Sequence, residues 1–182
     1  MKTLKTPIEG LLVFIPNVFS DERGSFFESY NKIYLSKKGI DINFTQDNQS
    51  LSKKNILRGL HFQNPPFEQS KLVRCIDGEI LDIAVDIRKR SKTYGKFEKV
   101  ILSSFNKKQL FIPKGFAHGF LTLSDKAIIS YKVDNHYSPN HDNGIIWNDP
   151  TLNINWGICD SELIISEKDS KLPPLIKIEN PF

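Results

Sequence analysis

Short apolar runs, each cut off within a few residues by glycine, proline, asparagine or aspartate, recur along this chain, and that punctuation restricts its fold more than any other feature. From Lys71 to Arg88 the residues are almost continuously strand-like, and Asp77-Gly78 stands where a tight hairpin needs positive φ, so the two arms are expected to pair. Lys71, Val73 and Cys75 share a face of the first arm. Val85, Ile87, Phe97, Val100 and Ile101 carry the pattern across Tyr94-Gly95, and another strand begins at Gln109. Pro113-Lys114-Gly115 bends the chain into a strand with His118, Phe120 and Thr122 on one face, and Ile129, Tyr131 and Val133 repeat the alternation. Upstream, Gly10 to Phe19 reads as an edge strand or one broken at Pro16, Asp21-Glu22-Arg23-Gly24 as a turn, and Phe44 to Ser52 as a strand. Helical signals are brief: Asn31 can cap a helix through Lys38, stopped by Gly39, and Ser166 to Asp169 can form one turn. The spacing predicts an all-β domain, a double-sheet jelly roll or barrel rather than a βαβ fold.

At 182 residues the chain suits one domain, and its 13 phenylalanines imply a packed core to hold them. The net charge of +4 comes from 25 basic and 21 acidic residues that are interspersed, which gives little support to nucleic-acid binding. A phosphate-bearing small molecule needs only a few placed cations. The apolar run Leu11 to Ile15 is too short for a signal-peptide core or a membrane span, so the expected location is cytoplasmic, with no membrane partner. Cys75 and Cys159 lack a Cys-x-x-Cys partner and read as ordinary buried thiols. Neither G-x-G-x-x-G nor a P-loop is found, so nicotinamide and P-loop chemistry lack their usual signals.

Chemistry concentrates in Leu57-Arg58-Gly59-Leu60-His61-Phe62-Gln63, and ten residues on comes Lys71, after the turn Asn64-Pro65-Pro66-Phe67. If the two strands are sheet neighbours, an imidazole and an ammonium face one pocket, which suits proton abstraction beside a group acquiring negative charge. A histidine in an apolar strand is, however, more often a hydrogen-bonded core residue. Arg58 and His61 also stand an odd number apart, so a regular strand sends them to opposite faces; a bulge at Gly59 or an arginine reaching round the rim would reunite them. His61, Lys71, His118 and Tyr131 recur inside apolar strands, and Arg23, Glu28, Gln46, Asn48 and Arg58 form a second set suited to recognition.

At Asp21 to Gly24, Leu57 to Gln63, Gln69 to Val73, Ile112 to Phe120 and Trp147-Asn148-Asp149-Pro150 the sequence resembles the dTDP-4-dehydrorhamnose 3,5-epimerase family over nearly its whole length. The resemblance implies a cupin jelly roll with short peripheral helices, a homodimer, no metal or other cofactor, and a nucleotide-diphosphate 4-keto sugar as substrate. It divides the single epimerase domain into a nucleotide-contacting segment (1–50), a jelly-roll core (51–135) and a C-terminal extension (136–182). By similarity His61 is the base, Asp169 orients it, Lys71 faces the enolate oxygen and Tyr131 delivers a proton from the opposite face. Arg23, Glu28, Gln46, Asn48, Arg58, His118, Asp142 and Lys168 fall at substrate-contacting positions, with Asp142 where the family usually has glutamate. The N-terminal segment can complete a partner subunit's site. The expected reaction is inversion at C3 and C5 of dTDP-4-dehydro-6-deoxy-D-glucose. Alternatives are inversion at one carbon, another 4-keto sugar such as a GDP-heptose, or a non-catalytic sugar-nucleotide-binding cupin. Pro113-x-Gly115-x-x-His118 resembles the second motif of metal-dependent cupins, but Phe62-Gln63 follows His61 where their first motif has His-x-His.

Overall fold

The computed structural model describes residues 1–179 and 181–182. The chain begins with β1 (Lys2–Lys5), β2 (Leu12–Ile15), the hairpin strands β3 (Phe19–Asp21) and β4 (Gly24–Phe26), and helix α1 (Lys32–Ser36). Next come β5 (Gln46–Lys53), β6 (Ile56–Gln63), β7 (Lys71–Asp77), β8 (Glu79–Asp86), β9 (Phe97–Ser103), β10 (Gln109–Ile112), β11 (Phe116–Thr122) and β12 (Lys126–Val133). The C-terminal part contributes β13 (Asp142–Gly144), β14 (Ile164–Ile165) and helix α2 (Glu167–Ser170). One sheet runs β1-β2-β10-β7-β12-β5; the other runs β13-β6-β11-β8-β9, with β14 parallel to β6. This is an all-β jelly roll with short peripheral helices, the cupin architecture that the resemblance implied.

Apolar side chains fill three places. Val73 and Ile129 of one sheet meet Ile80, Ala84 and Phe120 of the other in the interior. Leu57, Ile83, Val85 and Leu121 point outward from the second sheet and are covered by Ile145, Leu152, Trp156 and Leu175 of the C-terminal segment. Phe14, Leu72 and Phe111 on the outer face of the first sheet are covered by Leu35 of α1 and by Ile40. A strand between two apolar layers loses its polar alternation, which is why every residue of β11 is buried. Asn31 caps α1 as expected, its side chain accepting from the Tyr34 N–H, and the helix ends slightly before Gly39, whose φ is 79°.

Several expectations change. Asp77-Gly78 does not close a hairpin, because β7 and β8 belong to opposite sheets and Gly78, at φ 78°, turns the chain between them. A Cβ at Gly78 would lie 2.1 Å from the Lys126 carbonyl oxygen, so the crossing needs glycine for space as well as for φ. β6 and β7 likewise lie in different sheets, and His61 and Lys71 meet across the sandwich rather than along one sheet. β2 stops before Pro16 but lies between β1 and β10, so it is not an edge. Cys75 is buried, whereas Cys159 is exposed, because the C-terminal segment at Cys159 runs over the surface. No helix among the described residues is long and apolar enough to cross a membrane.

Candidate active site

A cavity of about 540 Å³ opens between the sheets, lined from one side by Arg58, His61 and His118 and from the other by Lys71 and Tyr131. A smaller space of about 250 Å³ shares His61, Lys71, Tyr131 and Lys168 with it and adds Gln46, Asn48 and Asp142.

The odd spacing of Arg58 and His61 is resolved by a bulge. His61 pairs with His118 and Arg58 with Phe120, so three steps on β6 match two on β11, and both side chains reach the cavity. Gly59 makes this possible. Its φ is 110°, and a Cβ there would stand 2.6 Å from the Cα of Gly119 and from the His118 carbonyl oxygen. The bulge also turns the Gly59 N–H toward Asp169, whose Oδ2 accepts at 2.9 Å.

Asp169 therefore holds two groups of one strand. Its Oδ1 lies 2.8 Å from His61 Nε2, while Ser166, the cap of α2, accepts from the Asp169 N–H and sets the approach of the helical turn. Burial would raise the carboxyl pKa, but the bonds from His61 and Gly59 outweigh it and hold the group below its ordinary value. An ionised Asp169 accepts from Nε2–H, leaving the lone pair on Nδ1 of His61.

Lys71 is buried, its Nζ donates to the His61 carbonyl oxygen at 3.5 Å, and burial pushes its pKa down to about 8 against the pull of Asp82 and Asp142. His118 is buried with Nε2 at 3.0 Å from both oxygens of Asp82, and its pKa is lowered because desolvation exceeds the attraction of Asp82. Burial raises the pKa of Tyr131, so its phenol keeps its proton. Arg58 is steadied by Ser52, whose Oγ accepts from Nε at 3.0 Å. Lys168 bonds Asp142, which also accepts from Tyr137 Oη at 3.0 Å, and Gln46 donates to Asn48 at 2.8 Å.

Two residues of the recognition set lie elsewhere in this chain. Arg23, on the β3–β4 hairpin, is exposed and ion-paired to Asp21 at 2.6 Å; Glu28 accepts from Asn31 at 3.1 Å. Sequence reasoning missed Asp82, Ser52 and Tyr137. Asp82 carried a usable signal, a carboxylate inside the apolar run Ile80 to Val85, the same anomaly that marks His61 and His118. The two histidines are register partners, but each Nε2 belongs to a different carboxylate, and among the described residues no three His, Cys, Asp or Glu side chains converge as metal ligands. The arrangement offers an oriented imidazole, a buried cation and a protonated phenol around one space, which is the equipment for moving a proton beside a carbonyl.

Comparison with known proteins agrees with that chemistry. Residues 5–177 match the family model described as dTDP-4-dehydrorhamnose 3,5-epimerase. A protein of that name from Methanothermobacter thermautotrophicus is 49% identical over 179 residues, covering 98% of this chain and 95% of the relative. The crystal structure of dTDP-4-dehydrorhamnose 3,5-epimerase from Elizabethkingia anophelis is 43% identical and superposes with a TM-score of 0.94, covering 99% of this chain and 98% of that one. The Legionella pneumophila dTDP-6-deoxy-D-glucose-3,5-epimerase, solved with dTDP-4-keto-L-rhamnose, is 43% identical with a TM-score of 0.93, covering 98% of this chain and 94% of that one. Matches of this extent show that the protein belongs to the dTDP-4-dehydrorhamnose 3,5-epimerase family.

Proposed function

We propose that this protein converts dTDP-4-dehydro-6-deoxy-D-glucose to dTDP-4-dehydro-L-rhamnose by inverting C3 and C5 through an enolate. The observation that carries the reading is the His61–Asp169 pair, 2.8 Å apart, in a cavity that Lys71 and Tyr131 line from the opposing sheet. Nδ1 of His61 removes the proton beside the ketone, Asp169 steadies the imidazolium, and Lys71 meets the charge that develops on the oxygen. Tyr131 returns a proton from the other side of the ring, which inverts the carbon. Base, cation and phenol suffice for these steps, so the chemistry calls for no metal or redox cofactor. Arg58 and Lys168 supply cations for the diphosphate, with His118, Asp142, Gln46 and Asn48 as further contacts. Arg23 and Glu28 serve a partner subunit's site in a homodimer; the exposed register partners Phe19 and Phe26 beside them support such a contact. Residues 1–182 act as a single epimerase domain, and a second copy completes its site.

Incubation with that substrate in deuterated water is expected to place deuterium at C3 and C5 of the inverted product. Label at a single carbon would select a single-carbon epimerase, and no exchange by a folded protein would overturn the assignment.

Lys71 adds a pH dependence. Activity needs its charged form, so kcat/KM is expected to fall as pH rises through about 8. Stability moves the other way. The folded value lies below the ordinary 10.5, so between about 8 and 10.5 the unfolded chain binds more protons and the folded state gains. Activity unchanged up to pH 10 would remove Lys71 from the oxyanion role.

A further inference from the structure

Residues 134–138 form no strand or helix, yet Tyr137 among them stands on the wall of the smaller space, together with His61, Lys71 and Tyr131. Gln63, buried at the end of the strand that carries His61, holds this stretch. Its Nε2 donates to the His136 carbonyl oxygen at 3.0 Å and to that of Phe67 at 2.6 Å, and its Oε1 accepts from the Ser138 N–H at 2.7 Å. The side-chain amide thus pairs with the peptide groups on both sides of Tyr137, as a neighbouring antiparallel strand would. The far end of the tyrosine is tied to the same residue. Tyr137 Oη donates to Asp142, and Asp142 is the register partner of Gln63 across the β6–β13 ladder.

We propose that Gln63 is a positioning residue for the epimerase reaction: by gripping the backbone on either side of Tyr137, it fixes that ring relative to the base, two residues back on its own strand. This rests on the epimerase reading above. Tyr137 is exposed, and a ring on a stretch without a ladder of its own has many conformations open to it. Ordering the ring only when substrate arrives would weaken binding, and Gln63 makes that order a property of the folded chain. Gln69 donates to the Asn135 carbonyl oxygen at 2.8 Å and so anchors the start of the stretch, but the peptide groups that flank Tyr137 belong to Gln63.

Steady-state kinetics with the dTDP-4-keto sugar on wild type, Gln63→Met, Tyr137→Ala and the double variant test this. Gln63→Met keeps the length of the side chain and removes its three bonds, so KM is expected to rise about 10-fold while kcat stays within about 3-fold of wild type. In the double variant the loss in kcat/KM should be no greater than in Tyr137→Ala alone, because with the ring gone there is nothing left to position. If Gln63→Met folds poorly, Gln63→Glu, which keeps the volume and an acceptor for the Ser138 N–H, takes its place in the same cycle. Losses that multiply in the folded double variant overturn the inference, and they are the result expected if Gln63 serves fold stability alone. Wild-type KM in the folded single variant overturns it too. A wild-type protein that does not epimerise would overturn the functional reading and this inference together, a result distinct from an active wild type whose losses multiply.

Discussion

Replacing His61 with alanine is expected to lower solvent exchange at the substrate's C3 and C5 by at least about 10² to 10⁴ while leaving dTDP binding largely intact. The His61 imidazole presents a lone pair directed by a buried carboxylate, and below about pH 8 Lys71 and Tyr131 hold their protons and do not replace it. Asp169→Asn should fall between wild type and His61→Ala. Asp169 accepts from both Gly59 N–H and His61 Nε2–H, and an amide offers one acceptor and one donor for these two bonds. If the amide oxygen stays on Gly59, its NH₂ faces Nε2 and favours the tautomer with the proton on Nδ1, where the lone pair is needed. Deuterium incorporation followed by NMR measures both variants. Near-normal exchange in folded His61→Ala would rule out the base, and wild-type exchange in Asp169→Asn would remove the orienting role.

Tyr131→Phe should separate two events that wild-type protein couples. The ring packs against the interior core and the phenylalanine preserves that packing, so the substitution removes chiefly the hydroxyl. His61 can still form the enolate, and reprotonation from its own side returns substrate carrying solvent deuterium. Inversion is therefore expected to drop by about 10² to 10⁴ while exchange at the first carbon persists. The ratio of label in recovered substrate to label in inverted product is the measurement. Inversion near the wild-type rate would dismiss Tyr131 as the acid, and an equal fall of exchange and inversion with binding intact would dismiss the division into two faces.

The short strand-like runs between Lys71 and Val133 with turn residues between them, the cap at Asn31 and the ordered strings around His61 and His118 were enough to establish an all-β jelly roll and its family. Such signals are local: they report which side of a strand is apolar and where φ turns positive. They do not report which strand lies alongside. Gly78 illustrates this, since positive φ serves a two-residue hairpin and a crossing between sheets equally, and only the packing of β7 against β12 and of β8 against β11 decides between them. Gly59 hinted at a bulge, but the match of three residues to two exists only once β11 is in place, with Gly119 giving room for the approach. Asp169 stands 108 residues from His61, and without the resemblance its sequence marked it only as the end of a surface turn; the fold buries it under β6. Asp82 and Ser52 acquire their places in the same way, because a polar side chain's partners are set by the strands packed around it and not by its neighbours in the chain.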